Sequence, residues 1–489
     1  MTEKRCDFCG EKVFWKYETK TGKMTVYGEG PMTDYEDATE APWHDLRNQM
    51  KELVVAKGVT TLGDYSFVGC SQLMKVSLPS TLESLGVYSL SKCALTEVVI
   101  PDGVRLICAK AFEANGELWS VTIPVSVKAI DMKAFNQTPK LRRVFYKGTK
   151  SRWEAIRISV NAMGNQFLYN AQIEYRGKLS TEKPDECDLH AHCTEREMIP
   201  VLDRAREILY RGGDGSFYVL ALNLTTDGLA KKPGDCTLLI FPNGQTMMID
   251  SGCEGCRERV LKAIERLELK SLDYFTLSHP HADHVGNAMA VAKYIDERGG
   301  IIGTYFYTGH PFRTLEPSFA AFLSEHGTKM DNCLRTGDVR KLGEVTMEIF
   351  GPSEKKMTLA PALTPEHLNR LSLIQKFTFG KASYLTSGDL YRVDEREAIA
   401  EHGDRLRATV AKTNHHGVYT SNCDEWVEAI SPEVFLVTSD DIGATRLEAR
   451  AARLGIGYYS SGLDGDVLVR MTKEGHVELE TAYGKTYCK

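Results

Sequence analysis

The sequence predicts a mixed α/β chain in two parts: a short leucine-rich-type solenoid, then a layered α/β domain. Three observations predict it. The first third repeats itself with a period of 22–23 residues. From Phe217 onward, short apolar runs alternate with segments of helical period. Between one such run and the helix after it, "TLSHPHADHVGN" crowds His279, His281, Asp283 and His284 into six positions.

Composition sets the bounds. The chain has 489 residues, 42% hydrophobic and 26% charged, which suits a soluble globular chain with several domains, each large enough to bury a core. A net charge of −6 excludes a global basic field for nucleic acid, so any contact with a polyanion must be local. The opening "MTEKRCDFCGEK" lacks the apolar core of a signal peptide, and no apolar run is long enough to cross a bilayer. The expected location is the cytoplasm, with no membrane partner. Thirteen cysteines without framework spacing read there as small buried apolar residues.

The repeats begin "LVVAKGVTTLGDYSFVGCSQL", and three more segments superimpose on this one. Val55, Leu78, Ile100 and Ile123 end a short strand, and Pro79, Pro101 and Pro124 stop it. Leu62, Leu85, Ile107 and Ile130 are expected to face inward. Phe67, Leu90, Phe112 and Phe135 are expected to fill the core, with Leu73, Leu95, Leu118 and Leu141. One such unit cannot bury its apolar face alone, but stacked neighbours can. "GKMTVYGEGPMTDY", "APW", "GDYSFVGCSQL" and the exit "VFYKGTKSRWEAI" through "GNQFLYNAQIEY" resemble BspA-like leucine-rich repeat proteins over residues 5–176. The resemblance implies a binding surface for a partner, a protein first of all, and no chemistry. A ligand-free stabilising appendage is the alternative.

We place the repeat domain at 1–177, a linker with a helix at 178–213, and the second domain at 214–489. In the linker, "KLSTEKPDECD" reads as loop, and "EREMIPVLDRAREILYR" as helix, with Pro200 interrupting its start. In the second domain, "FYVLALNL", "CTLLIFP", "QTMMIDSG" and "LDYFTLS" read as strands, and "CRERVLKAIERL" and "AMAVAKYIDE" as helices. A tight turn after a strand aims successive side chains into one pocket. His279 and His281 can grip one metal there, while Asp283 and His284 face a second. Two divalent ions close together polarise an ester oxygen and hold a hydroxide ready at neutral pH.

H-x-H-x-D-H after a strand resembles the metallo-β-lactamase superfamily, which implies an αββα sandwich and a hydrolase. The resemblance places Asp250 of "MMIDSG" as an orienting carboxylate and Asp389 of "YLTSGDL" as the bridge between metals. It places His415 or His416 of "AKTNHHG" as the late ligand, with the choice between them open. "GDCTLLIFPNGQTMMIDSG", "NRLSLIQKFTFGKASYLTSGD", "VAKTNHHG" and "YYSSGLDGDVLV" narrow it to the ComEC-like branch, over residues 217–472. Asp235 of "PGDC" matches an aspartate near the metals of that branch. Many members carry a further histidine before the bridging aspartate. Here His310, His326 and His367 fall in that interval without a ligand-like context, and Asn369 stands near where that role would be filled. ComEC-like proteins usually have a serine directly after HHG. This chain has "HHGVYTSN", which leaves Thr420 or Ser421 to supply a hydroxyl to substrate phosphate.

The resemblance implies two divalent ions, Zn2+ or Mn2+, and a metal-bridged hydroxide that attacks phosphorus in line. Asp283 and Asp389 would fix the ions and orient the attack, and His415 or His416 would protonate the leaving oxygen. The expected function is a phosphodiesterase or nuclease, with the repeats binding a protein or regulating access. A second reading is hydrolysis of another ester, a thioester or a lactam, since a fold does not decide a substrate. A third is a recognition scaffold with a vestigial metal site. Weaker signals are read plainly. Cys6 and Cys9 are packing residues, "CDLHAHC" (Cys187, His190, His192, Cys193) is polar linker, Cys253 and Cys256 are not a functional thiol pair, and the arginines of "TRLEARAARLG" form a solvated face.

Overall fold

The structure is a computed structural model and describes residues 4–158, 165–175, 201–224, 234–309, 315–359, 365–438 and 445–488. It divides into two compact units, Met1–Thr194 and Glu195–Lys489.

In the first unit, a hairpin of Lys4–Gly10, Val13–Glu18 and Lys23–Gly28 opens the solenoid, and the parallel strands Glu52–Val55 and Lys75–Ser77 continue its sheet. Glu97–Val99, Ser120–Ile123, Arg143–Tyr146 and Gln172–Tyr175 form a second parallel ladder. A third ladder joins short strands that contain or end on Leu62, Leu85, Ile107 and Ile130. All twelve inward positions named from the repeat are buried in one core. Each turn is also tied to the next repeat: Tyr65 N–H donates to Val87 O at 2.8 Å, Phe67 to Ser89 O at 2.9 Å, and Phe112 to Ala134 O at 2.9 Å. Trp43 stacks on Phe67 at 5.0 Å between ring centres and closes the N-terminal end of this core. Cys9 is buried beside it; the side chain of Cys6, and "CDLHAHC", lie outside the described residues.

The second unit is an αββα sandwich. One sheet has nine strands, with Leu272–Thr276 and Thr246–Ile249 adjacent near its middle. The other has seven, with Ala382–Thr386, Val410–Lys412 and Val434–Val437 side by side. Alternation along Phe217–Ala221 shows the layering. Phe217, Val219 and Ala221 pack between the sheets against Val345, Phe377 and Tyr384. Tyr218 and Leu220 point outward, into the core under the helices Val201–Tyr210, Arg257–Arg266 and Ala288–Asp296. Both faces of the strand are buried, which is why it reads as unbroken apolar residues. Helices Arg392–His402, Asp424–Ile430 and Thr445–Leu454 cover the other sheet.

Two expectations change. The helix of the connector is described over Val201–Tyr210, and its Val201, Leu202, Ala205 and Ile208 sit in the core of this unit, so the compact body begins ahead of residue 214. In "TRLEARAARLG", Arg450 is buried and ion-paired with Asp424, not solvated, because its turn of helix packs on Asp424–Ile430.

Candidate metal centre

Every candidate ligand leaves a strand at one edge of the sandwich. Asp250 follows Thr246–Ile249, the H-x-H-x-D-H turn follows Leu272–Thr276, and Asp389 follows Ala382–Thr386. His415 and His416 follow Val410–Lys412. Thr246–Ile249 runs parallel to Leu272–Thr276, and Ala382–Thr386 to Val410–Lys412, so the carboxyl ends within each pair gather where α/β folds place ligands. Asp235 joins from the start of the antiparallel strand Thr237–Ile240. The approach is close: a side chain on Gly234, at φ +78°, would collide with the carbonyl of Asp283.

Asp283, His284, Asp389 and His416 each offer a ligand atom within 4.8 Å of the others. His284 Nε2 lies 3.3 Å from Asp389 Oδ1, and His416 Nε2 lies 3.5 Å from Asp389 Oδ2 and 3.7 Å from Asp283 Oδ2. The other two histidines of the turn stand close by. His279 Nε2 is 3.9 Å from Asp389 Oδ2 and 3.1 Å from His281 Nδ1. His284 Nε2 and Asp389 Oδ1 are buried and make no hydrogen bond among the described residues. Buried polar atoms of this kind call for a partner, and converging imidazole and carboxylate atoms fit a divalent cation.

Asp235, Asp250 and His284 also cluster, but their atoms are already engaged. Asp250 Oδ2 accepts from His284 Nδ1 at 2.8 Å and from the Ser278 hydroxyl at 2.7 Å, while its Oδ1 accepts from Ser278 N–H at 2.7 Å. Asp250 therefore orients His284, fixing Nδ1 on its carboxylate and turning Nε2 toward Asp389. Asp235 is held by Lys412, His416 and Thr438.

The electrostatics point the same way. Burial pushes His279 well below the usual imidazole range, which favours the neutral ring that a metal ligand needs. Burial also opposes charge on His284 and His416, but Asp389 and its neighbouring carboxylates outweigh it and push both well above that range. Burial works against the charge of Asp283 as well, yet His416 and His284 hold its carboxyl below the ordinary range. A pocket that favours protonated histidines against burial has a field that favours cations.

The two late histidines separate. Both have left-handed backbone, with φ of 48° at His415 and 55° at His416. Asn414 and Asn422 clamp that turn by reciprocal hydrogen bonds of 3.0 and 2.9 Å. Buried Glu395 anchors both, accepting from Asn414 Nδ2 and Asn422 N–H at 2.6 Å each. His416 belongs to the four-residue set. His415 stands outside it, more exposed, with Nε2 3.7 Å from Asp389 Oδ2 and Nδ1 2.6 Å from the Thr420 hydroxyl. Ser421 is buried with its hydroxyl on Leu390 O at 2.6 Å, so Thr420 is the hydroxyl on the His415 side and Ser421 is a structural residue. Asn369 is buried but joins neither cluster. His326 sits by Asp296 at 3.8 Å, His367 joins neither cluster, and His310 lies outside the described residues. Cys253 and Cys256 bring their sulfurs to 3.3 Å.

Lys412, Thr438 and Glu395 were missed by sequence reasoning. The signal for Lys412 was a lysine closing the apolar run of a buried strand three residues before the paired histidines. Glu395 gave no signal, since a glutamate in a helix is ordinary.

Comparison with known proteins agrees with this geometry. Residues 46–156 match the BspA type leucine rich repeat region in six copies, and residues 230–425 match the metallo-β-lactamase superfamily. The chain thus carries a BspA-like repeat region followed by a metallo-β-lactamase domain. Among curated proteins it is 25% identical over 174 residues to ComE operon protein 3 of Bacillus subtilis, covering 35% of this chain and 20% of that protein. It is 25% identical over 207 residues to competence protein ComA of Neisseria gonorrhoeae, covering 42% of this chain and 25% of that one. These matches support the ComEC-like branch, and the chain spans a quarter or less of either relative. A solved structure, the metallo-β-lactamase fold protein YhfI from Bacillus subtilis, is matched over 54% of this chain and 100% of its own, at 13% identity and a TM-score of 0.33. No helix among the described residues is long and apolar enough to cross a membrane.

Proposed function

We propose that the second unit is a metal-dependent phosphodiesterase, with nucleic acid as its substrate class, and that the repeat unit binds a protein partner or regulates access. The observation that carries the reading is the convergence of Asp283, His284, His416 and Asp389, with His279 also within 3.9 Å of Asp389 and His281 beside it. His279, His281 and Asp389 would hold one divalent ion, and Asp283, His284, His416 and Asp389 the other. Donors of this kind, without thiolate, suit Zn2+ or Mn2+. When bound, such a pair supplies Lewis-acid polarisation of a phosphoryl oxygen and a nucleophile at neutral pH. Asp389, within 4 Å of nitrogens of His279, His284 and His416, would be a ligand common to both sets, and Asp283 would orient the nucleophile. His415 Nε2, outside the ligand set, is placed to pass a proton to the leaving oxygen, while Thr420 holds its ring from Nδ1. A reducing cytoplasm suits the buried free thiols Cys236 and Cys423.

Hydrolysis of bis-p-nitrophenyl phosphate, with Zn2+ and Mn2+ added separately, tests the reading. Turnover in the wild type and a loss beyond about a hundredfold in Asp389→Asn, more than outer partners of a metal site usually cost, is the expected result. Full activity in Asp389→Asn would remove the assignment. A metal-loaded wild type that ignores this substrate but cleaves a thioester or lactam would replace the phosphodiester reading.

A further inference from the structure

Lys412 is the buried cation of this site. It ends the strand Val410–Lys412 at 4% exposure, and its three ammonium protons have three partners. Nζ lies 2.6 Å from Asp235 Oδ2, 3.1 Å from the carbonyl of Gly388 and 3.0 Å from that of Thr413. Each partner leads to a candidate ligand. The other oxygen of Asp235 faces His416 Nδ1 at 3.0 Å, and the Thr438 hydroxyl bonds to the same oxygen. Gly388 precedes Asp389, and its carbonyl also accepts from His415 N–H at 3.1 Å. Thr413 opens the turn that carries both histidines.

An ion pair this deep is costly to form and no strong argument for stability, because each charge loses its water. Fold maintenance alone gives no reason to prefer it over an apolar pair. Its geometry does give one: it spans three segments that arrive from different strands and must agree on one position. We propose that Lys412 is a positioning residue for the metal centre, holding His416 through Asp235 and the Asp389 backbone through Gly388. The inference rests on the reading of the centre as a metal site.

Metal-free wild type, Lys412→Met, Asp235→Asn and the double variant are titrated with Zn2+ against a chromophoric chelator, and each apo form is unfolded by heat in parallel. The expected result is that each single change weakens zinc binding roughly 10- to 100-fold, the range of outer partners of metal ligands. In the double variant the loss should be far below the sum of the two, because both act through one linkage. Zinc affinity unchanged in Lys412→Met, with only the apo melting temperature lowered, overturns the inference and leaves an ordinary structural ion pair. If Lys412→Met does not fold, the double variant carries the test, because it leaves no unpaired buried charge; wild-type affinity there also overturns the inference. A wild type that binds no zinc fails the metal reading itself and is distinguishable from both.

Discussion

In the repeat unit, Tyr65, Tyr88, Lys110 and Lys133 occupy one recurring position, and all four have left-handed backbone, with φ of 54°, 55°, 57° and 56°. In the second unit, four of the seven described left-handed non-glycine residues lie at the candidate centre, Asp250 at 59°, His415 at 48°, His416 at 55° and Asn422 at 60°, while Glu268, Cys333 and Ser431 lie elsewhere. The local cost is the same kind in both, of order 1–2 kcal/mol for a residue with a Cβ. What offsets it differs. Along the solenoid, the same N–H to carbonyl bond to the following repeat recurs at Tyr65, Tyr88 and Lys110. At the metal centre, each strained residue has its own side-chain support: Ser278 for Asp250, Thr420 for His415, Asp235 for His416, and Glu395 for Asn422. Periodic strain builds an architecture. Strain that occurs once, on groups that converge, marks a site.

The comparison predicts that losing an individual support harms the centre more than altering one repeat harms the solenoid. Asp250→Asn releases His284 Nδ1 from its carboxylate, and zinc affinity should fall roughly 10- to 100-fold in a competition titration. An unchanged affinity would show that His284 is oriented by packing alone.

Next in size is the buried Asp131 of the fourth repeat. Burial pushes its carboxyl from 3.8 up to about 7, against hydrogen bonds from the Met132 and Ala109 backbones. The folded state therefore holds a proton that the unfolded state has lost, and stability falls as pH rises between those two values. Four of the five tryptophans (Trp15, Trp43, Trp119 and Trp153) lie in the repeat unit, so fluorescence-detected urea unfolding follows that unit. Asp131→Asn should flatten the pH dependence and gain on the order of 2 kcal/mol over wild type at pH 8 relative to pH 4. Parallel curves for the two proteins would place the proton elsewhere.

The smallest effect belongs to the shared left-handed position. Lys133→Val puts a branched side chain where it is least tolerated and should cost about 1 kcal/mol, while Lys133→Gly should be near neutral. Equal losses in both would mean that the lysine side chain matters there rather than the backbone.

Much of this was legible in the sequence, for physical reasons. Phe67, Leu90, Phe112 and Phe135 could be named as core because a repeat shows the same burial several times over. The crowding of His279, His281, Asp283 and His284 was visible because one turn supplies them all. The choice between His415 and His416 was not, since it depends on a turn clamped by Asn414, Asn422 and Glu395, the last of which arrives from a separate helix. Asp235 could be named from the sequence, but its contact with Thr438 could not, because it joins positions 203 residues apart. Ser421 looked like a substrate contact because a hydroxyl after HHG fits the family pattern, and only the fold shows it turned onto Leu390.

The central claim is that the two sides of Asp389 hold two ions and that His416, not His415, completes one of them. Zinc content per chain, measured by mass spectrometry on reconstituted and desalted protein, tests it most directly. The account predicts about two equivalents in the wild type and in His415→Ala, and about one in His416→Ala. Two equivalents retained in His416→Ala with one lost in His415→Ala, or no more than one in the wild type, would contradict it.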